Sequence, residues 1–93
     1  MKKYEILRIL DRETRVLKIE GKYSNWVGRI IDGDNLTKRI RIGEQLCLFY
    51  ADLEDFLSFG IRTSTVKDWG YVFDDTIWIE TRNSIYYLKE LPV

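Results

Sequence analysis

Few residues of this chain have the type and spacing that catalysis or metal binding needs. The sequence contains no histidine, the commonest general base and the commonest metal ligand in proteins. Cys47 is the single cysteine, and its apolar neighbours Leu46 and Leu48 predict a buried, inert thiol. The six glycines are scattered and form no phosphate-binding loop. We therefore expect a protein that is not an enzyme, with no cofactor and no metal.

Two pairs of acidic residues are the nearest approach to a metal site. Asp32 and Asp34 resemble the start of a calcium-binding loop, but the twelfth position of such a loop would be Gly43, where a bidentate glutamate is needed. Asp74 and Asp75 are adjacent and follow an apolar run. Aspartate is itself common in turns, and the first pair also has glycine and asparagine beside it, so we interpret both pairs as turns.

Length and composition indicate one small soluble domain. The 93 residues suffice for a single domain, and 45% of them are apolar, which is typical of a globular protein. A lone cysteine rules out an intrachain disulfide. The N-terminal residues contain no apolar signal-peptide core, and no apolar run is long enough to span a membrane. These features predict a cytoplasmic location and no membrane partner.

The chain alternates between apolar and polar residues in several short runs, which is the period of β-strands. We predict strands at residues 4–10, 15–23, 26–31, 36–42, 45–50, 61–67 and 71–73, followed by a final hairpin at 76–91. Turns are expected at 32–35, 68–70 and 74–75, and one short helix near 52–59. At least five of these runs should be antiparallel strands. The expected fold is a mostly-β, partly open antiparallel barrel over residues 1–93, either SH3-like or split, with an OB-like barrel as the alternative.

The final hairpin carries the first candidate binding surface. A two-residue loop at Arg82 and Asn83 would place the side chains of residues 77, 79, 86 and 88 in the core, with Asn83 at positive φ. Trp78 would then lie opposite Tyr87 on the outer face, beside Ile85. Exposed aromatic pairs are typical anchors of protein contacts. Trp78, Ile85 and Tyr87 are therefore predicted to bind a protein, unless another part of the chain covers them, for which Arg or Lys side chains are candidates.

A basic strand face is the second candidate surface. Residues 1–45 contain eleven basic and seven acidic residues, a net charge of +4, whereas residues 46–93 have a net charge of −4. Basic and aromatic side chains interleaved on a barrel face can hold single-stranded nucleic acid. This alternative assigns nucleic-acid binding to Trp26, Arg29, Lys38, Arg39 and Arg41. A solvated strand face, or attraction between the two halves of the chain, would explain the same charges.

The second half of the chain resembles a group of small proteins. The segment Thr63-Ser64-Thr65-Val66, followed by Thr81-Arg82-Asn83-Ser84-Ile85-Tyr86-Tyr87, is similar to a strand and a hairpin in uncharacterised proteins of bacteriophages and mobile elements. The resemblance covers roughly residues 61–88 and brings no catalytic residues with it. It implies a cytoplasmic accessory protein, and such proteins often bind and block host machinery, including defence systems.

We therefore expect a small non-catalytic β-barrel module that binds a protein, such as a host factor. Two alternatives remain open, a nucleic-acid-binding protein that uses the basic face and a structural subunit that associates with itself through the aromatic hairpin. The zero net charge favours the first reading over the nucleic-acid reading, and nothing in the sequence separates it from self-association.

Overall fold

A computed structural model describes residues 2–51 and 60–92 of the chain. Six strands and two short helices follow one another along these residues. They are β1 (Lys3–Asp11), α1 (Lys22–Trp26), β2 (Ile30–Asp32), α2 (Leu36–Arg39), β3 (Gln45–Phe49), β4 (Gly60–Phe73), β5 (Thr76–Thr81) and β6 (Ser84–Glu90). The predicted helix near 52–59 lies outside the described residues.

The six strands form one antiparallel sheet that curves into a nearly closed barrel. Their order is β2-β1-β6-β5-β4-β3. The two edge strands approach each other through a bridge between Ile31 and Tyr50, and the Ala51 N–H donates to the Ile30 carbonyl over 2.9 Å. The predicted mostly-β, partly open antiparallel barrel is therefore confirmed. Its closer assignment as SH3-like, split or OB-like stays a prediction.

The core fills the inside of this barrel with side chains from every strand. Residues of alternating positions along β1, β5 and β6 point inward, as the period of a half-buried strand requires. The most completely buried large side chains are Ile6, Ile9, Ile31, Leu36, Leu48, Ile77, Ile79, Ile85 and Leu88. All of these except Ile85 belong to one contiguous apolar cluster.

The final hairpin has the predicted register. Ile77 pairs with Leu88, Ile79 with Tyr86, and Trp78 with Tyr87, across a two-residue loop at Arg82 and Asn83. Positions 77, 79, 86 and 88 are at most 4% exposed, so they form the core face. A two-residue loop leaves only one register, and this is why the pairing could be read from the sequence.

The prediction of positive φ at Asn83 is wrong. Arg15 and Asn35 are the non-glycine residues with positive φ in the described part of the chain. Tertiary hydrogen bonds hold the loop instead: the Arg82 N–H donates to the Thr65 carbonyl and the Asn83 N–H to Ser64 Oγ. With these partners the loop does not depend on the left-handed conformation.

The turn predicted at 68–70 is wrong, because these residues belong to one long strand. The first half of β4 pairs with β3, and its second half, from Val66 to Phe73, pairs with β5. Register shifts interrupt the second half between Val66 and Asp68 and again between Tyr71 and Phe73. Such bulges absorb an extra residue and bend the strand, so β4 can pass from one neighbour to the other without a turn.

The strand predicted at 36–42 is also wrong, since residues Leu36–Arg39 form helix α2. Leu36 and Ile40 are buried, at 1% and 7% exposure, whereas Ile42 is 59% exposed. Apolar residues four apart share a helix face, and both readings fit the sequence until the exposure of Ile42 decides between them. The residues before α2 form the expected turn.

The strand predicted at 15–23 is wrong too, and the strand predicted at 26–31 is shorter than expected. Only one bridge, between Leu10 and Leu17, joins the first of these segments to β1, and its last two residues, Lys22 and Tyr23, belong to α1. Leu17 and Ile19, which alternate with polar residues, are more than half exposed, so this face of the predicted strand has no core to pack against. The second segment contributes Ile30 and Ile31 to β2.

Candidate functional site

Trp78 and Tyr87 lie opposite each other on the outside of the barrel, as predicted. Gly70 on β4 and Arg8 on β1 extend this row across four strands. A Cβ atom at position 70 would lie 3.0 Å from the nearest atom of the Trp78 indole, so glycine allows the indole to lie against β4. The guanidinium carbon of Arg8 lies 4.3 Å from the centroid of the Tyr87 ring. Both aromatic residues are half-buried as a result.

Ile85, the third residue of the predicted protein-binding patch, is covered. It lies on the same face, between Leu10 on β1 and Glu80 on β5, and is only 2% exposed. Arg12, just past the end of β1, donates from Nε to Glu80 Oε2 over 3.2 Å. This ion pair joins the end of β1 to β5. Because β6 lies between these two strands in the sheet, the pair crosses β6 near Ile85. The structure thus brings the three residues onto one face but leaves Ile85 inaccessible to a partner.

Among the residues that the structure describes, the longest run of consecutive exposed apolar side chains lies at the tip of the β4–β5 hairpin. Tyr71, Val72 and Phe73 are 60%, 42% and 69% exposed. Phe73 pairs with Thr76, which lies two residues before Trp78 on the outer face. We call these three residues the hairpin tip. Sequence reasoning assigned them to a short strand and missed their exposure, although three consecutive apolar residues on a strand cannot all face one core.

The basic residues of the nucleic-acid alternative do not form one continuous strand face. The guanidinium carbon of Arg29 lies 3.9 Å from the centroid of the Tyr50 ring. Arg39 donates from Nη1 to the Cys47 carbonyl over 2.9 Å and lies over Phe49. Both guanidinium groups are thus engaged with the β3 side of the barrel.

Lys38, Arg41 and Trp26 are placed separately from these arginines. Lys38 belongs to α2 and Arg41 follows it, and both are exposed. Trp26 ends α1 and contacts Tyr23 edge-on, with ring centroids 5.3 Å apart. Since residues 36–39 form a helix, the strand alternation that would have aligned the basic side chains is absent.

A polar pocket of about 260 Å³ opens at the end of the barrel where the β5–β6 loop lies. We call it the barrel-end pocket. Its walls include Lys22, Tyr23 and Trp26 of α1, Arg62 of β4, and Ser84 and Tyr86 of β6. No spacing in the sequence indicates this pocket, because its walls come from elements as far apart in the chain as α1, which ends at Trp26, and β6, which begins at Ser84.

Hydrogen bonds to Thr81 and Lys18 fix Ser64, Asn83 and Ser84, which form the floor of the barrel-end pocket. Ser64 Oγ donates to Thr81 Oγ1 over 2.8 Å, and Thr81 Oγ1 accepts from the Ser84 N–H over 3.1 Å. Lys18 Nζ then donates to Ser84 Oγ over 2.7 Å and to the Asn83 carbonyl over 3.0 Å. A satisfied network of this kind is rigid, so the pocket floor is preorganised.

Among the described residues, three groups have a shifted pKa, and two of them are buried tyrosines. Burial, with a smaller contribution from nearby Tyr23, raises the pKa of Tyr86 from its ordinary value of 10.0 to about 12. Burial and the neighbouring Glu90 raise the pKa of Tyr4 at the opposite end of the barrel. The backbone N–H groups of Thr14 and Glu13 lower the pKa of Asp11. The tyrosines therefore remain neutral hydrogen-bonding groups near neutral pH.

The part of the chain that the structure describes contains no group of three or more histidine, cysteine or acidic residues that could hold a metal ion. Within the same residues, no helix has the length and apolar character needed to cross a membrane. No family model, no curated protein and no solved structure matches this chain.

Proposed function

We propose that this chain is a small non-catalytic β-barrel module that binds a protein. The observation that supports this most strongly is the hairpin tip, where Tyr71, Val72 and Phe73 expose three consecutive apolar side chains. Such runs are unfavourable on a free surface and usually mark a contact region. The module binds its partner through these side chains.

The outer face beside the hairpin tip enlarges the contact surface. The strand register leads from Phe73 through Thr76 to Trp78 and then to Tyr87. Exposed aromatic side chains at the centre and an arginine, Arg8, at the margin match the usual composition of protein interfaces. Trp78 and Tyr87 therefore contribute to binding as neighbours of the hairpin tip, while Ile85, buried on the same face, makes no direct contact with the partner.

The partner that we propose is a host protein. The resemblance of residues 61–88 to proteins of bacteriophages and mobile elements supports this choice, and inhibition of a host defence system is the corresponding role. Self-association through the same aromatic surface is the competing function, and it makes a different prediction about the mass of the protein in solution.

The test compares two substitutions of exposed apolar residues. Phe73→Ser alters the hairpin tip, and Leu17→Ser is the matched control, because Leu17 is 52% exposed near the other end of the barrel. Proteins captured from a host lysate are purified and recombined with the chain, and the Kd is measured by calorimetry. Loss of a central aromatic anchor should weaken binding by about 30-fold.

Two results would contradict the proposal. One is a reconstituted complex that Leu17→Ser weakens as much as Phe73→Ser does. The other is the failure of every captured protein to bind the purified chain. Sedimentation of the isolated chain is the additional measurement, since a mass that rises with concentration and returns to the monomer in Phe73→Ser would support self-association instead.

A further inference from the structure

The geometry points to a second binding site, in the barrel-end pocket, for a ligand that joins a phosphate group to a planar base. This inference is independent of the proposed protein-binding surface, because the hairpin tip lies at the opposite end of the barrel. Lys22, Arg62, Trp26 and Tyr23 carry it, together with the fixed hydroxyl floor beneath them.

The charges of the pocket favour an anion. Lys22 and Arg62 are the charged side chains among its described walls, and none of those walls is a carboxylate. Among the described residues the ion pairs are Lys2–Glu90 and Arg12–Glu80, so neither pocket cation is neutralised by an ion pair there. Arginine and lysine together are the usual ligands of phosphate groups, since both donate charge-assisted hydrogen bonds.

The aromatic wall favours a planar group beside that anion. Tyr23 and Trp26 contact each other edge-on, and Lys22 Nζ lies 5.4 Å and 5.3 Å from their respective ring centroids. The side chain of Lys22 is exposed and flexible, so its ammonium group can move from the ring faces to an anion in the pocket. Stacking of a base on tyrosine or tryptophan beside cationic side chains is a common means of holding nucleotides.

Hydrogen bonds within the protein hold the residues of the pocket floor in place. Thr63 Oγ1 accepts from the Leu46 N–H over 3.0 Å, and Ser64 Oγ accepts from the Asn83 N–H over 3.1 Å. Tyr86, which also lines the pocket, is 4% exposed, and its hydroxyl remains protonated well above neutral pH, so it adds no negative charge to the site. A ligand therefore meets groups that are already in place, which lowers the entropic cost of binding.

The size of the pocket limits the ligand to one nucleotide. Its volume of about 260 Å³ is just below the range of roughly 300–1,000 Å³ found for sites of drug-sized molecules. A mononucleotide in solution and a single nucleotide of a single strand present the same phosphate and base. The test therefore includes free mononucleotides and a single-stranded oligonucleotide.

The experiment is an NMR titration of the intact chain at low salt. The probes are adenosine and uridine 5′-monophosphate, the two nucleosides without phosphate, inorganic phosphate, and a short single-stranded oligonucleotide. We expect the monophosphates to shift the amide signals of residues 22–26, 62–64 and 83–86. Because charge-assisted hydrogen bonds to phosphate are lost, the nucleosides should bind at least about tenfold more weakly.

Substitutions distinguish specific binding in the barrel-end pocket from general electrostatic attraction to the protein. Arg62→Gln should weaken monophosphate binding about tenfold, and Lys89→Gln, an exposed lysine at the other end of the barrel, should change it less than about twofold. Trp26→Leu should weaken the monophosphates but not inorganic phosphate. Thermal unfolding checks that this variant is folded, since Trp26 also packs against the core.

Three outcomes would overturn the inference. They are the absence of shifts at the barrel-end residues with every phosphate-bearing probe, equal weakening by Lys89→Gln and Arg62→Gln, and equal affinity for nucleosides and monophosphates. Binding of the oligonucleotide that is sensitive to Arg62→Gln would identify a single strand as the source. Binding of the mononucleotides alone would identify a free nucleotide.

Discussion

Arg8 places its guanidinium carbon 4.3 Å from the centroid of the Tyr87 ring, and the two residues are opposite each other on β1 and β6. This contact covers part of the aromatic surface that the final hairpin would otherwise expose. It also joins the two ends of the chain, since β1 begins the fold and β6 ends it. The hairpin face is therefore partly an internal contact.

We predict that Arg8→Met lowers the free energy of unfolding by about 0.5–1 kcal/mol, because methionine keeps an apolar stem but removes the cation from the ring. Urea unfolding measures the change. Arg41→Met is the control, since Arg41 is exposed and no aromatic contact of its side chain is found among the described residues. Equal losses in the two variants would show that the cation–π contact contributes nothing specific.

The parts of the fold that could be predicted are those determined by residues close together in the sequence. The register of β5 and β6 follows from the two-residue loop, so the pairing of Trp78 with Tyr87 was correct. The burial of Ile85 could not be predicted from the hairpin alone, because Ile85 lies between Glu80 and Leu10, and Leu10 on β1 comes from the other end of the sequence. The barrel-end pocket was missed for the same reason, since Arg62 and Trp26 meet only in the folded chain.

The errors in the first half have a common physical origin. The spacing of Leu36 and Ile40 fits both a strand and a helix, and the exposure of Ile42 shows that no sheet face continues beyond them. Leu17 and Ile19 alternate with polar residues without being buried. Alternation predicts a strand only where a core exists to receive one of its faces, and this depends on the rest of the chain.

We predict that Thr81→Val lowers the free energy of unfolding by about 1–3 kcal/mol, because it leaves buried polar groups without a partner. Thr81 is fully buried, and its Oγ1 accepts from Ser64 Oγ and from the Ser84 N–H. The shape of the side chain is preserved, so packing should change little. Thr14→Val is the control at an exposed position, and a loss no greater than the control's would show that the network can rearrange at no cost.

We predict that Asn83→Gly destabilises the fold by about 0.5–1 kcal/mol. Asn83 is not among the residues with positive φ, so glycine gains nothing in the folded state and adds conformational freedom to the unfolded chain. Chemical denaturation measures the difference. Asn35→Gly is the matched comparison, because Asn35 has φ of 59° and should accept glycine without loss or with a gain. A stabilised Asn83→Gly would mean that the loop favours the left-handed conformation in solution.

The last prediction concerns stability at alkaline pH. The pKa of Tyr86 is raised from its ordinary value of 10.0 to about 12 in the folded chain, chiefly by burial. The unfolded chain therefore loses the proton first as pH rises, and the stability that is fully present below pH 10 should fall progressively up to about pH 12.

Tyr86→Phe should reduce this alkaline loss, because phenylalanine has no proton to release in either state. The free energy of unfolding, measured in urea between neutral pH and about pH 12, should fall less steeply in the variant, by up to about 2–3 kcal/mol over the whole window. Tyr4→Phe is the comparison, since the pKa of Tyr4 is also raised and it should account for part of the remaining slope. If the slope in Tyr86→Phe equals that of the natural chain, the Tyr86 hydroxyl is accessible to water and the floor of the barrel-end pocket is less closed than the structure indicates.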